Sequence, residues 1–125
     1  MPATEKREWF EPDSREVSRA RRFVTRALQA WGLDADIPPL ELMVSELVSN
    51  ALVHGTGQIS VQLSCQDSSL RLEVSDEGGV TSPHLRPPTV GGWGLQFVDE
   101  LADSWGSEKR GHSTLVWAVK RTSGA

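Results

Sequence analysis

Apolar residues at helical spacing fill most of the first half of the chain. Between residues 14 and 31 they recur every three or four positions, and a glycine follows as a helix terminator. Asp13 and Glu16 have the spacing of a capping box, so Asp13 is the predicted N-cap. A second periodic stretch begins with the two prolines after Asp36 and runs to His54. The pattern therefore predicts two long helices.

Strict alternation of apolar and polar residues replaces helical spacing in the second half. The segments 59–65 and 70–74 alternate, with a turn-forming Asp-Ser-Ser sequence between them, and predict a half-buried hairpin. The segment 77–92 is rich in glycine and proline and has no period, which is typical of a long functional loop. A helical stripe over 95–105 and strands near 104–110 and 113–120 complete the chain.

The predicted elements define the fold class. Helices on one face of a sheet give an α+β two-layer sandwich, here about three helices over a mostly antiparallel, mixed sheet. A length of 125 residues suits one domain, so residues 1–125 are predicted to form a single unit. A short strand is expected near Trp9, and residues 1–8 and 121–125 are predicted to fray.

Composition narrows the classes of function. The net charge of −4 disfavours a general electrostatic attraction to nucleic acid, so no direct nucleic-acid partner is expected. No apolar run approaches the roughly 20 residues that cross a bilayer, and the N-terminus lacks a secretory signal. With Cys65 as the single cysteine, a cytoplasmic protein without a membrane partner is expected. One cysteine and three scattered histidines also lack the spacing of a zinc site.

Polar residues four positions apart on the second predicted helix form the first candidate site. Glu46, Asn50 and His54 line up along one side, at the margin of the apolar stripe. A carboxylate there can accept a proton from an attacking hydroxyl or water, and an amide oxygen can help to coordinate Mg²⁺. Considered alone, such a row is more often an ordinary polar helix margin.

Asp76, at the end of the second hairpin strand, is the second candidate. It continues the alternation of Leu72 and Val74, so its side chain should face the buried side of the sheet. Burying a carboxylate is costly unless hydrogen bonds compensate, and the amino group of adenine is a reasonable partner. The alternative is a strand-end aspartate that caps the turn into Glu77 and Gly78.

A glycine cluster before the last helical stripe is the third candidate. At Gly91, Gly92 and Gly94 bare backbone amides and a helix dipole can meet a polyphosphate. The sequence has no Gly-Lys-Ser/Thr of a P-loop and no Rossmann placement after a first βα turn, so another nucleotide fold is required. A mobile connector is the alternative explanation of such a cluster.

Together these segments resemble the boxes of the GHKL ATPases, named after gyrase, Hsp90, histidine kinase and MutL. Glu46 to His54 matches the N-box, Asp76 to Gly78 the first glycine box, and Gly92 to Leu95 the second. The resemblance covers nearly the whole chain and extends to the small bacterial anti-sigma-factor serine kinases of the RsbW and SpoIIAB kind. It implies a Bergerat-type ATP-binding fold with ATP and Mg²⁺ as cofactors.

The resemblance also implies a role for each matching residue. Glu46 would be the general base and Asn50 the Mg²⁺ ligand. The nucleotide-binding residues would be Asn50, His54, Asp76, Gly78, Gly92, Trp93, Gly94, Leu95 and Thr114, with Asp76 on adenine. The implied activity is that of an ATP-dependent serine/threonine protein kinase that phosphorylates an antagonist protein and regulates a sigma factor by partner switching. The relatives also suggest a homodimer.

Other functions stay open. Trp93 is bulkier than the small or basic residue that related sequences often have between the two glycines, and Arg86 and His84 are the only cationic candidates from 79 to 91. The alternative is therefore a non-catalytic, nucleotide-dependent protein-binding module with a degenerate lid. Plain ATPases and sensor histidine kinases form further classes, but they need segments that 125 residues are not expected to hold.

Four arginines of the first predicted helix fall on one side of it. Arg15, Arg19, Arg22 and Arg26 lie within about 60° on the helical wheel, away from the apolar stripe. Aligned like charges in a chain of net charge −4 suit an acidic partner. The first helix of the similar kinases takes part in partner docking, so these arginines are the predicted partner site. A solvated helix face is the alternative.

Overall fold

A five-stranded sheet and three helices make up the part of the chain that the computed structural model describes, residues 4–78 and 93–123. In chain order the elements are β1 (Thr4–Phe10), α1 (Glu16–Ala30), α2 (Ile37–His54), β2 (Ile59–Gln66), β3 (Ser69–Asp76), α3 (Trp93–Leu101), β4 (Ser104–Arg110) and β5 (Ser113–Arg121). A short 3₁₀ turn, Asp34–Asp36, joins α1 to α2. The predicted α+β sandwich is confirmed.

The strands lie in the order β1-β2-β3-β5-β4, and every neighbouring pair is antiparallel. A two-residue turn joins β2 to β3, because Asp67 and Ser68 both adopt positive φ, 52° and 63°, as a type I′ turn requires. Gly111 occupies the turn between β4 and β5 with a φ of 66°. This strand order places Asp76 directly opposite Thr114.

The core lies between the sheet and the helices. Residues of β3 alternate strictly between buried and half-exposed positions, as their sequence predicts. Leu63 and Leu72 of the sheet belong to one hydrophobic cluster with Leu47 of α2 and Val98 of α3. All four are fully buried, and each such side chain stabilises the fold by about 1.5–3 kcal/mol. No helix in the described ranges is both long enough and apolar enough to cross a membrane.

The start of α1 differs from its prediction. The helix begins at Glu16, later than expected, and its cap residue is Arg15, with no side-chain cap bond. The Asp13 carboxylate accepts from the guanidinium and the backbone N–H of Arg15, and these bonds lower the pKa of Asp13 to about 2. The Glu16 carboxylate accepts from Arg19 and from the backbone N–H of Glu11. Because both carboxylates have other donors, the predicted capping box is wrong.

Both segments that were expected to fray make regular contacts where they are described. β1 pairs with β2 along its whole length. At the other end, the backbone N–H and the hydroxyl of Ser123 donate to the buried carboxylate of Asp36, which also pairs with Lys120 at 2.9 Å. The prediction of frayed ends is therefore wrong for residues 4–8 and 121–123, because strand pairing and a buried ion pair hold these polar segments.

Candidate functional site

The predicted polar row of α2 lies at the border of the buried layer. Glu46, Asn50 and His54 are all half-buried, whereas Leu47 beside them is fully buried. Burial raises the pKa of the Glu46 carboxyl, since desolvation disfavours its charged form. A carboxylate with a raised pKa is a stronger base when it is ionised, which suits proton acceptance near neutral pH.

Asp76, at the end of β3, points to the helix side of the sheet. It is only 7% exposed, as the alternation of the strand predicts. Burial raises the pKa of its carboxyl, against smaller opposing effects of the Gly78 amide, Lys109 and the Thr114 amide. The backbone N–H of Gly78 donates to its Oδ1 at 2.7 Å. The structure thus holds a buried, partly satisfied carboxylate at this position.

The ends of α2 and β3 meet at Gly55, which directly follows His54. A Cβ added to Gly55 would overlap the Asp76 carboxylate. The φ of Gly55 is −105°, which suits any residue, so the lack of space and not the backbone conformation requires glycine. The backbone N–H of Glu77 donates to the Thr56 carbonyl at 2.9 Å and joins the two ends. The sequence pattern does not indicate this contact, because it identifies Gly55 only as the glycine that ends the helix.

β5 and the turn before it lie on another side of Asp76. Gly78 has a φ of 110°, and a Cβ there would overlap the carbonyl oxygen of His112. Thr114 of β5 is 3% exposed, and in the described part of the chain its buried hydroxyl has no hydrogen-bond partner. An unpaired buried hydroxyl costs about 1–3 kcal/mol, so it needs an explanation such as a polar ligand.

Adenine and Mg²⁺ fit the residues present. Adenine has an amino donor beside a ring-nitrogen acceptor, which matches the Asp76 carboxylate and the Thr114 hydroxyl. Across residues 4–78 and 93–123 no group of three or more His, Cys, Asp or Glu side chains could hold a metal ion. Asn50 together with phosphate oxygens is nevertheless a suitable Mg²⁺ environment, because magnesium in nucleotide sites takes few protein ligands.

The predicted glycine cluster lies only partly within the described chain. Gly92 and the rest of the predicted lid, residues 79–92, fall outside it. Trp93 and Gly94 are the first two residues of α3, and Leu95 follows in the first turn with 4% exposure. α3 therefore begins within the glycine cluster, which agrees with a phosphate-binding role of this segment.

Two of the four predicted partner-binding arginines are engaged within the fold. The Arg19 guanidinium pairs with Glu8 at 2.5 Å and with Glu16 at 2.7 Å. It also lies 4.3 Å from the ring centroid of Phe10, a geometry that allows cation–π attraction. Arg15 pairs with Asp13. It does not line the groove between α1 and β1 to which Arg19, Arg22 and Arg26 contribute.

Arg22 and Arg26 line a groove between α1 and β1. Its volume is about 470 Å³, and Lys6 and Arg7 of β1 line it as well. These two residues were not predicted to contribute, because residues 1–8 were expected to fray. In place of a stripe of four arginines on one helix, the structure shows cations from a helix and a strand around a shared groove.

Comparison with known proteins shows the family. The histidine kinase-like ATPase domain family matches residues 10–120. Because the match spans most of the chain, the chain belongs to this family, and the resemblance to the GHKL ATPases is confirmed. Membership implies ATP binding. Among curated proteins no match was found.

Two solved structures are similar in fold. The RsbU and RsbW domains of Rv1364c from Mycobacterium tuberculosis give a TM-score of 0.73 at 20% identity, with 99% of this chain and 34% of that chain covered. The histidine kinase AdeS of Acinetobacter baumannii gives a TM-score of 0.57 at 15% identity, with 95% and 68% covered. The chain thus spans about a third of the first protein. At these identities the similarity shows the fold alone.

Replacing Thr114 with valine should separate nucleotide binding from stability. Valine has a similar shape without the unpaired hydroxyl, so the ligand-free protein should keep or gain thermal stability. ATP affinity should fall about tenfold, as expected for the loss of one hydrogen bond to the ligand. Thermal unfolding and titration calorimetry measure the two effects.

Thr25→Val is the matched control for this substitution. The Thr25 hydroxyl donates to Glu41 at 2.5 Å and links α1 to α2. Its loss should lower the melting temperature and leave ATP affinity unchanged. If Thr114→Val instead binds ATP as well as the parent protein, Thr114 does not contact the nucleotide.

Proposed function

We propose that this chain is an ATP-dependent serine/threonine protein kinase that phosphorylates an antagonist protein and regulates a sigma factor by partner switching. The observation that supports it best is the meeting of α2 and β3 at Gly55. It brings the helix that bears Glu46 and Asn50 against the buried carboxylate of Asp76. The helix of the proposed general base therefore packs beside the strand of the proposed adenine acceptor. The fold similarity to a protein with an RsbW domain agrees with this proposal.

The residues of the proposed nucleotide site have distinct proposed roles. Glu46 accepts the proton of the attacking serine or threonine hydroxyl, and its raised pKa makes it a better base. Asn50 holds Mg²⁺ through its amide oxygen, and the ion neutralises phosphate charge when bound. Asp76 and Thr114 bind the adenine edge. The other proposed nucleotide contacts are His54, Gly78, Gly92, Trp93, Gly94 and Leu95.

Protein partners are proposed to bind away from the nucleotide. Of the arginines first predicted for this role, Arg19, Arg22 and Arg26 line the groove of α1 and β1, while Arg15 stands at the start of α1. A homodimer is also proposed, in line with the family resemblance.

A second candidate function is a nucleotide-dependent binding module without phosphoryl transfer. The bulky Trp93 between Gly92 and Gly94 favours it, because an indole in this segment can hinder close approach of the backbone to phosphates. Such a module keeps the adenine site and Mg²⁺ but has no turnover.

Incubation with labelled ATP, Mg²⁺ and candidate antagonist proteins tests the proposal. We expect phosphoserine or phosphothreonine on one antagonist, dependent on Mg²⁺ and on this protein. Binding of ATP by calorimetry without transfer to any antagonist would favour the non-catalytic module. Release of free phosphate without a phosphorylated protein would indicate a plain ATPase.

A further inference from the structure

One edge of the sheet is open in the described chain. β1 is the terminal strand of the order β1-β2-β3-β5-β4, and β2 is its only strand neighbour within residues 4–78 and 93–123. At its C-terminal end α1 satisfies this edge, since Arg19 donates to the Trp9 carbonyl and the N–H of Glu11 donates to the Glu16 carboxylate.

The same two bonds show which backbone groups face the open edge. The N–H and C=O of one residue point to the same side of a strand, and the side alternates from residue to residue. Trp9 and Glu11 turn these groups towards α1 and away from β2. By alternation, Glu5 and Arg7 also direct their N–H and C=O to the open edge. No strand pairs with them there in the described chain.

The groove beside this edge is strongly basic. It is lined by Lys6, Arg19, Arg22 and Arg26 and by Arg7, whose guanidinium donates to Gln62 of β2, with Glu8 as its one carboxylate. Glu8 already pairs with Arg19. Within the described ranges Lys6, Arg22 and Arg26 form no salt bridge, so the groove has an excess of positive charge in a chain of net charge −4. Phe23 and Ala27 supply an apolar floor.

We propose that an extended acidic segment of a protein partner adds to the β1 edge as a further strand and places its carboxylates against Arg22 and Arg26. Strand addition uses the free N–H and C=O of Glu5 and Arg7, and alternate side chains of the added strand enter the basic groove. This proposal rests on the proposed function only in its assumption that the partner is a protein. Binding itself does not require ATP.

The open edge and the charge together favour an acidic polypeptide over other occupants. A second copy paired edge to edge about a twofold axis would bring two copies of the basic groove to one interface, and like charges repel. A polynucleotide lacks a backbone that matches the strand edge, and the net charge of −4 opposes it. An acidic polypeptide satisfies both features.

The test uses a labelled peptide of seven residues, the length of β1, with alternating glutamate and valine. Fluorescence anisotropy at low and high salt measures its binding to the whole protein without nucleotide. We expect binding that weakens with salt, and about tenfold weaker binding in Arg22→Glu. Arg21→Glu is the matched control, because Arg21 neighbours Arg22 on α1 but reaches Ser45 of α2 and does not line the groove.

Arg7→Pro compared with Arg7→Ala tests strand addition separately from charge, because both variants lose the guanidinium and only proline also loses the backbone N–H. Proline removes the N–H that faces the open edge and leaves the backbone bonds of β1 to β2 in place, as proline on edge strands allows, while the side-chain bond from Arg7 to Gln62 is lost in both variants. We expect Arg7→Pro to bind the peptide about tenfold more weakly than Arg7→Ala does, with the same ATP affinity and thermal stability as Arg7→Ala. A peptide that is N-methylated at alternate residues should also bind the parent protein about tenfold more weakly than the unmethylated peptide.

Several results would overturn the proposal. Equal peptide binding by Arg7→Pro and Arg7→Ala would show that charge alone holds the peptide, and a loss in Arg21→Glu as large as in Arg22→Glu would show non-specific attraction. A duplex oligonucleotide that binds more tightly than the peptide, with the same response to Arg22→Glu, would assign the groove to nucleic acid. A dimer that Arg7→Pro dissociates would assign the edge to a second copy. Absence of kinase activity would affect none of these binding results.

Discussion

Replacing Glu46 with glutamine is expected to slow phosphoryl transfer by orders of magnitude and to leave ATP binding close to that of the parent protein. Glutamine keeps the size of the side chain but cannot accept a proton from the attacking hydroxyl. Loss of a general base lowers a rate by roughly 10²–10⁴-fold. Transfer of labelled phosphate to an antagonist measures the rate, and calorimetry with ATP and Mg²⁺ measures the affinity.

Two variants on the same helix make this result specific. Glu41→Gln is the matched control, because Glu41 is also half-buried on α2 but bonds to Thr25 of α1, and its transfer rate should stay near that of the parent. Asn50→Ala should show the opposite pattern to Glu46→Gln and lose Mg²⁺-dependent ATP binding. Unaltered transfer in Glu46→Gln would remove this residue from the mechanism.

The pH dependence of transfer provides a second readout for Glu46. A general base acts only when it is ionised, so transfer by the parent protein should fall as the pH falls through the pKa of Glu46. Burial raises this pKa above the usual value of a glutamate, so the decline should begin at a higher pH than for an exposed carboxylate. Glu46→Gln should lack this decline in its residual rate.

Sequence periodicity predicts which side chains are buried wherever burial depends on the geometry of a single helix or strand. The alternation of β3 predicts that Asp76 points inward, and the structure places it there with 7% exposure. The four-residue spacing of Glu46, Asn50 and His54 likewise predicts their half-buried position. Each of these results follows from the geometry of a single strand or helix.

Contacts between distant segments could not be predicted from the same patterns. β1 has the polar sequence Thr-Glu-Lys-Arg-Glu, and only its pairing with β2 makes it a strand. An edge strand is commonly polar, which is the reason its sequence resembles a frayed end. Lys6 and Arg7 were missed as groove residues for this reason. The overlap that a Cβ at Gly55 would cause with Asp76 also depends on how a helix packs on a sheet.

Replacing Asp76 with asparagine is expected to weaken ATP binding at least tenfold and, at the same time, to stabilise the ligand-free protein. The weaker binding follows because a neutral amide is a poorer acceptor for the adenine amino group than a charged carboxylate. The added stability follows from burial, which raises the pKa of Asp76 in the folded state. A raised carboxyl pKa means that folding favours the protonated form.

The sign of the stability effect follows from this pKa shift. The contribution of Asp76 is fully present below its unfolded-state pKa and is lost as the pH rises through the higher folded-state pKa. Above its folded-state pKa the parent protein therefore buries an ionised carboxylate at a cost that asparagine avoids. The melting temperature of Asp76→Asn should exceed that of the parent by a few degrees at neutral pH, and the difference should shrink as the pH falls through this range.

Asp67→Asn is the matched control for this prediction, because it makes the same chemical change in the exposed turn of the same hairpin. It should change neither ATP affinity nor the pH dependence of melting. Calorimetry with ATP and thermal unfolding at several pH values compare the variants. A protein in which Asp76→Asn binds ATP normally would not use this carboxylate for adenine. A buried carboxylate that destabilises the ligand-free protein and strengthens ligand binding is, by contrast, the arrangement expected of a binding site, because a hydrogen bond from the ligand offsets the cost of burying the charge.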